Sequence, residues 1–363
     1  MELGINGLSL IENPLNPLSL HVTRWANSIV RNQHNLNRTL FLPKQSDLDA
    51  FKVEQRMVVG SWKSASARLH FEQWVLPRAA ANHGIDLLLY IDQRAPIISP
   101  VPVMSFVGVQ RQDSIMGVVE RVRYALGKAG TGGAIAMLRA DDYPSAPGGF
   151  DGAPHFIPIS SWIDPEFVVR EAPENNVSQN QSNWPDEYVL CHGVGSAELS
   201  FLLAAWTWVA SALGDSFPLV ILSESKSLSN TIQRESQSLG VEDSVQTIET
   251  IGAHDLPLLY KGAKALINVS HRGWGQQLRW AMASGVPIAA VRDAVHESVL
   301  HDAGYLVDPG DSRKLGAACI GLLVEDKLSQ SLREKGLERS ARFQTPEAQE
   351  SLIQVILTLS KRL

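Results

Sequence analysis

An α/β protein of two Rossmann-like domains, with a cleft between them and a C-terminal helical tail, is predicted from three features of the sequence. Apolar strand-like runs alternate with helix-like segments from Tyr188 to Val291. The stretch REAPENNVSQNQSNWPDE, Arg170 to Glu187, is polar and lacks apolar periodicity, and 363 residues exceed one ordinary domain. Alternation of this kind implies right-handed crossovers and a parallel sheet covered on both faces. The polar stretch has the composition of a connection between packed units. The N-terminal domain is therefore expected at 1–169, a linker at 170–187, the second domain at 188–345, and at 346–363 a last helix able to pack back on the first domain.

In the first half, ELGING, TLFLPK, RMVVG, DLLLYI, VPVMSFVG, AIAML and HFIPIS read as strands, and HVTRWANSIVRNQ and ARLHFEQWVLPRAAANHG as helices. In the second, YVLCHG, PLVILS, VQTIE, ALINVS and PIAAV are strands, separated by the helical segments AELSFLLAAWTWVASAL, SLSNTIQRESQSLG, LPLLYKGA and QQLRWAMASG. Three helical patterns follow the last of these strands, beginning at Ser312, Lys327 and Pro346. VDPGD is a turn in which Asp311 or Ser312 caps the next helix. Trp206 and Trp208, on an apolar helix, are expected in the core.

Composition excludes several classes. Lys and Arg total 32 against 38 Asp and Glu, a formal charge of −6 that disfavours nucleic acid as a partner. Cys191 and Cys319 are the only cysteines, too few for a disulfide framework or a zinc cluster. The N-terminus lacks the basic and apolar regions of a signal peptide, and the apolar run Phe201 to Leu213 is shorter than the ~20 residues of a spanning helix. A cytoplasmic protein, or one peripheral at the inner membrane face, is the expectation. No Asp-x-Asp stands ready for a metal, so neither metal nor cofactor is expected.

The segment SHRGWGQQLRWAMASGVPI, Ser270 to Ile288, carries the chemistry. A strand, the loop His271 to Gly275 and a helix place Gly273 and Gly275 where open parallel sheets bind ligands, beyond the strand carboxyl ends. The helix N-terminus offers free N–H groups and about half a positive charge, suited to phosphate. Arg272 would add a charge-assisted contact. A tight turn beside a solvated arginine accounts for the same spacing. Gln276 and Gln277 supply amides nearby, and Trp274 and Trp280 flank the loop with rings able to stack on a sugar or base. Gly193 and His192 lie at another strand's carboxyl end. Glu297, in RDAVHESV, is either a ligand contact or a helix cap, and His296 is expected at the surface.

From Leu256 to Phe343 the chain resembles the C-terminal domain of the GT-B glycosyltransferases of group 1, family GT4: GWG stands for that family's GFG, AMASGVPI for its AMA.G.PV, HESV for its pE and GYLVDPGD for its vdP.d. Weaker likenesses cover LGINGLSL, HFIPISSWIDPEF and YVLCHGVGSAELSFLLAAW. The resemblance implies the GT-B fold and a retaining, metal-independent transfer of sugar from a nucleotide-sugar to a glycan or lipid-linked acceptor. It implies a donor site at Gly193, Gly273, Trp274, Gly275, Gln276, Gln277, Trp280 and Glu297, with Arg272 as the catalytic group that stabilises charge on the leaving diphosphate.

The departures are specific. The family's E-x7-E carboxylates, which contact the donor sugar and its ribose, are replaced by Arg272 and Trp280. Its Arg-Lys phosphate clamp corresponds to Ser196-Ala197-Glu198, and its HD element to Val107-Gly108. Two further readings therefore stand beside the enzyme. One is a catalytically inactive glycosyltransferase-like subunit that binds glycan or stabilises an active partner glycosyltransferase, a homo-oligomer being the other assembly considered. The second is a sugar-phosphate-using or epimerase-like relative.

Overall fold

The computed structural model describes residues 1–8, 15–29, 36–42, 55–58, 70–91, 96, 98–108, 134–139, 156–160, 162–169, 184–252, 255–270, 274–344, 353, 356 and 357. The first domain contains β1 (Glu2–Asn6), α1 (Pro17–Ile29), β2 (Asn37–Leu42), β3 (Gln55–Val58), a π-helical turn (Phe71–Val75) continuing into α2 (Leu76–Asn82), β4 (Leu87–Ile91), β5 (Val103–Gly108), β6 (Ala134–Arg139) and β7 (Phe156–Ser160). All seven expected strands form. They make one parallel sheet in the order β3-β2-β1-β4-β5-β6-β7.

The second domain runs β8 (Val189–His192), α3 (Ser196–Leu213), β9 (Leu219–Leu222), α4 (Lys226–Leu239), β10 (Val245–Ile248), α5 (Asp255–Gly262), β11 (Ala265–Asn268), α6 (Gln276–Ala283), β12 (Ile288–Val291), α7 (Ala294–Leu300), β13 (Tyr305–Val307), α8 (Ser312–Val324) and α9 (Asp326–Ser340). Its sheet is also parallel, ordered β10-β9-β8-β11-β12-β13. In each domain the order reverses beside the first strand, between β1 and β4 and between β8 and β11. Such a reversal opens a crevice at the strand carboxyl ends.

The strand residues explain the architecture. Leu87–Ile91, Val189–His192, Leu219–Leu222 and Ala265–Asn268 are buried throughout, as continuous apolar runs must be when helices cover both sheet faces. Local signals set the helix ends. Ser225 accepts from the Leu228 N–H at 3.2 Å to start α4, and Gly240, left-handed at φ +66°, ends it. Asp311 caps α8 by accepting from the Lys314 N–H at 2.9 Å, as the sequence predicts.

Three expectations need amendment. β13 escapes the sequence reading because Tyr305–Val307 is only three residues long and runs directly into the VDPGD turn. Trp206 is fully buried and donates to Ser244 Oγ at 3.0 Å, whereas Trp208, two residues on, faces outward at 46 % exposure beneath Arg313. The helix carrying both is long and apolar enough to cross a membrane by length and composition. In the fold, one face of it, including Leu199, Leu202, Leu203 and Val209, packs into the second domain's core. Cys191 on β8 and Cys319 on α8 are buried, and burial pushes each thiol up to about 12. Most of the linker and of the expected last helix lies outside the described residues.

Candidate functional site

The proposed anion corner is built by two glycines. Gly193 follows β8 at φ +83°, and Gly275 caps α6 at φ +76°, a region that only glycine occupies without strain. Space is short as well as conformation: a Cβ on Gly275 would stand 2.9 Å from Val299 Cγ2. A Cβ on Gly193 would meet Gln277 Nε2 and Pro17 Cγ, each at 3.4 Å. The corner therefore touches the first domain through Pro17, the first residue of α1. Arg272 and Gly273 lie outside the described residues.

Of the remaining predicted residues, Trp274, Gln276, Gln277 and Trp280 are buried in or beside a packed seam between the domains, and Glu297 is not. α6 is buried along its whole length. Trp280 is fully buried, with Phe167 stacked at 4.9 Å and His192 nearly parallel at 6.0 Å. With the ring wholly buried, the expected stacking on a sugar or base has no exposed face here. Gln276 donates through Nε2 to the Trp162 carbonyl at 2.8 Å, and Trp274 is 2 % exposed.

Opposite them, α1 presents His21 and Arg24, three residues apart and so on one helix face. The His21 ring lies 4.0 Å from Trp162, 5.7 Å from Trp274 and 6.5 Å from Trp280. Arg24 pairs with Asp164 at 3.1 Å and Glu166 at 2.6 Å. Burial, reinforced by Arg279 and Arg24, lowers the His21 pKa to about 3, so the ring is neutral. Burial pushes the Asp164 carboxyl up, against the pull of Arg24.

Among the described residues, both His21 nitrogens, the Trp162 and Trp274 indole nitrogens and Gln276 Oε1 are buried with no hydrogen-bond partner. An unsatisfied buried group costs about 1–3 kcal/mol. A seam holding several is closed at a disadvantage.

His192 is fixed rather than available. Its Nε2 lies 2.8 Å from the Leu15 carbonyl, which can only accept, so Nε2 carries the proton and Nδ1 accepts from the Tyr260 hydroxyl at 2.7 Å. Burial lowers its pKa to about 4. On the far side, Asn16 Nδ2 approaches both Glu224 carboxylate oxygens at 3.4 Å, a second bridge between the domains.

Around β12 the assignments change hands. Asp293 caps α7, accepting from the His296 N–H at 2.7 Å, while Glu297 is half exposed and pairs with Arg292 at 2.9 Å. His296 is buried rather than superficial, its Nδ1 on the Val291 carbonyl.

Residues 187–325 match the family model described as glycosyl transferases group 1. Over the whole chain the fold is similar to WaaG, a glycosyltransferase involved in lipopolysaccharide biosynthesis, at TM-score 0.68 and 15 % identity, covering 98 % of this chain and 99 % of that one. The chain has the GT-B fold, and residues 187–325 of it resemble the group 1 glycosyl transferases. Anabaena Alr3699/HepE, solved in complex with UDP-glucose, is similar at TM-score 0.69 and 12 % identity over 99 % of this chain and 100 % of that one. The O-antigen chain mannosyltransferase B of Escherichia coli is 30 % identical over 90 residues, 24 % of each protein, so the match spans about a quarter of that relative.

Sequence reasoning names Gly193, Trp274, Gly275, Gln276, Gln277 and Trp280, which the fold brings close together, and does not name His21, Arg24, Trp162 and Asp164, which face them across the seam. The pair Trp162-Asp164 sits in SSWIDPEF just before the linker, and the His21/Arg24 spacing marks one face of a helix. Both signals are visible in the sequence. Nothing local to either says that the two segments meet.

Proposed function

We propose that the protein transfers a sugar from a nucleotide-sugar to a glycan or lipid-linked saccharide acceptor, with retention and without a metal, in the cytoplasm or at the inner membrane face. The observation that carries this reading is the anion corner. A domain that resembles the group 1 transferases places the left-handed Gly275 and the N-terminus of α6 beyond β11, beside Gly193 beyond β8, at the reversal of strand order. The first N–H groups of a helix have no partner within it, and together with the helix dipole they suit a diphosphate. Arg272, two residues before Trp274, would add the positive charge that stabilises the leaving diphosphate as the glycosidic bond breaks. The UDP-glucose bound by a protein of the same fold supports this choice of donor class.

One observation favours the second reading, a catalytically inactive subunit that binds glycan or stabilises a partner. At the position of the family's second carboxylate stands Trp280, buried against Phe167 and His192. Calorimetric titration with UDP, GDP and their common sugar conjugates separates the two. The enzyme predicts micromolar binding of one nucleotide, weakened in Arg272→Ala by about 1.4 kcal/mol or more, a factor of ten. Absence of binding by any of them to folded protein would remove the enzyme and leave the subunit.

A further inference from the structure

We infer that the segment Leu15 to Pro17, which leads into α1, is a built-in competitor for the diphosphate: it covers the anion corner and must leave before a ligand enters. The inference rests on the glycosyl-transfer reading and adds a control of access to that site.

Three consecutive residues of the first domain are seated on the second. Leu15 is 1 % exposed and shares one apolar core with Tyr188, Leu190 and Leu222. Its carbonyl oxygen accepts from His192 Nε2 at 2.8 Å, at the carboxyl end of β8. Asn16 turns its amide to the Glu224 carboxylate beyond β9, and the Pro17 ring lies over Gly193, 3.4 Å from where a Cβ on that glycine would stand.

These contacts fall where an open parallel sheet receives its ligand, at the reversal of strand order. Their chemistry opposes an anion and does not assist it. The oxygens of an ionised diphosphate only accept hydrogen bonds, as the Leu15 carbonyl does, so the two compete for the one His192 proton. Proline has no N–H to donate, and the Asn16 amide is engaged with a carboxylate. A phosphate-binding turn presents successive backbone N–H groups, whereas this one presents an acceptor and an apolar ring. Binding then draws only on molecules whose corner is open, and the apparent affinity falls by that fraction.

Calorimetric titration of the intact chain with pyrophosphate, which carries the anion without sugar or base, tests this. Leu15→Ala trims the apolar anchor and Asn16→Ala removes the bridge to Glu224, and neither changes the charge. Each is expected to bind pyrophosphate about threefold tighter than wild type, or more. In the reverse experiment Asn16→Cys and Glu224→Cys are combined and the two thiols joined by a short cross-linker. Linking should weaken pyrophosphate binding about tenfold or more relative to the same protein unlinked. The native cysteines are buried, and near-UV circular dichroism establishes that each protein is folded.

Equal affinity in wild type, loosened variants and linked protein, or pyrophosphate binding by none of them, overturns the competitor. Nucleotide binding that linking leaves unchanged keeps the transfer reading and removes the competitor. Pyrophosphate affinity that rises on loosening and falls on linking, without binding of any nucleotide, keeps the competitor and removes the transfer reading.

Discussion

Trp280→Glu, which puts a carboxylate back where the family's motif has one, is expected to unfold the second domain and not to create a donor contact. Deleting a large aromatic from a packed core costs about 3–5 kcal/mol, and an unpaired buried charge adds several more. Trp280 is fully buried, with the Phe167 and His192 rings nearly parallel to it and Tyr260 edge-on. A glutamate there would lose all three contacts. Urea denaturation followed by circular dichroism checks the result, with Trp280→Phe as the milder control. A glutamate variant of wild-type stability would show that the indole is not a packing element, and would reopen that position as a ligand contact.

The second large effect is acid sensitivity of the seam. Burial depresses the pKa of His21 to about 3 and of His192 to about 4, against 6.5 for a free histidine. The unfolded chain therefore binds more protons than the fold below pH 6.5. The stabilisation from neutral burial is complete above that pH and is lost as the pH falls toward the folded values. At 1.36 kcal/mol per pKa unit, each histidine forfeits about 3 kcal/mol by pH 4.

Asp164 works in the opposite direction, since its raised pKa makes protonation easier in the fold. The comparison that isolates His21 is wild type against His21→Phe. The variant should be as stable as wild type or more so at pH 7, because it removes two unpartnered buried nitrogens, and it should lose less on acidification. Equal pH slopes for the two proteins would contradict the burial account.

Legibility differed between fold and site for a physical reason. The strands of both sheets could be read because a parallel strand covered on both faces is a continuous apolar run, and LLLYI or ALIN announces itself. Tyr305–Val307 escaped because three edge residues do not make a run. Gly275 could be read because a left-handed backbone position favours glycine.

Burial of Trp280 and the setting of His21 could not. They depend on α1, on the segment around Trp162 and on α6, which are far apart in the chain and meet only in the tertiary fold. Glu297 shows the same limit on a smaller scale. Asp293, four residues earlier, takes the cap through its own side chain, and Arg292 takes the glutamate.

Cys191 and Cys319, the two cysteines of the chain, both lie in the core of the second domain. With their sulfur atoms sealed from solvent and their thiolates disfavoured, modification by an alkylating reagent must wait for that core to open. The first domain has no sulfhydryl to contribute background. Native thiol-labelling kinetics therefore time the opening of one half of the molecule alone, and a ligand held at the α6 corner would register as a slower clock.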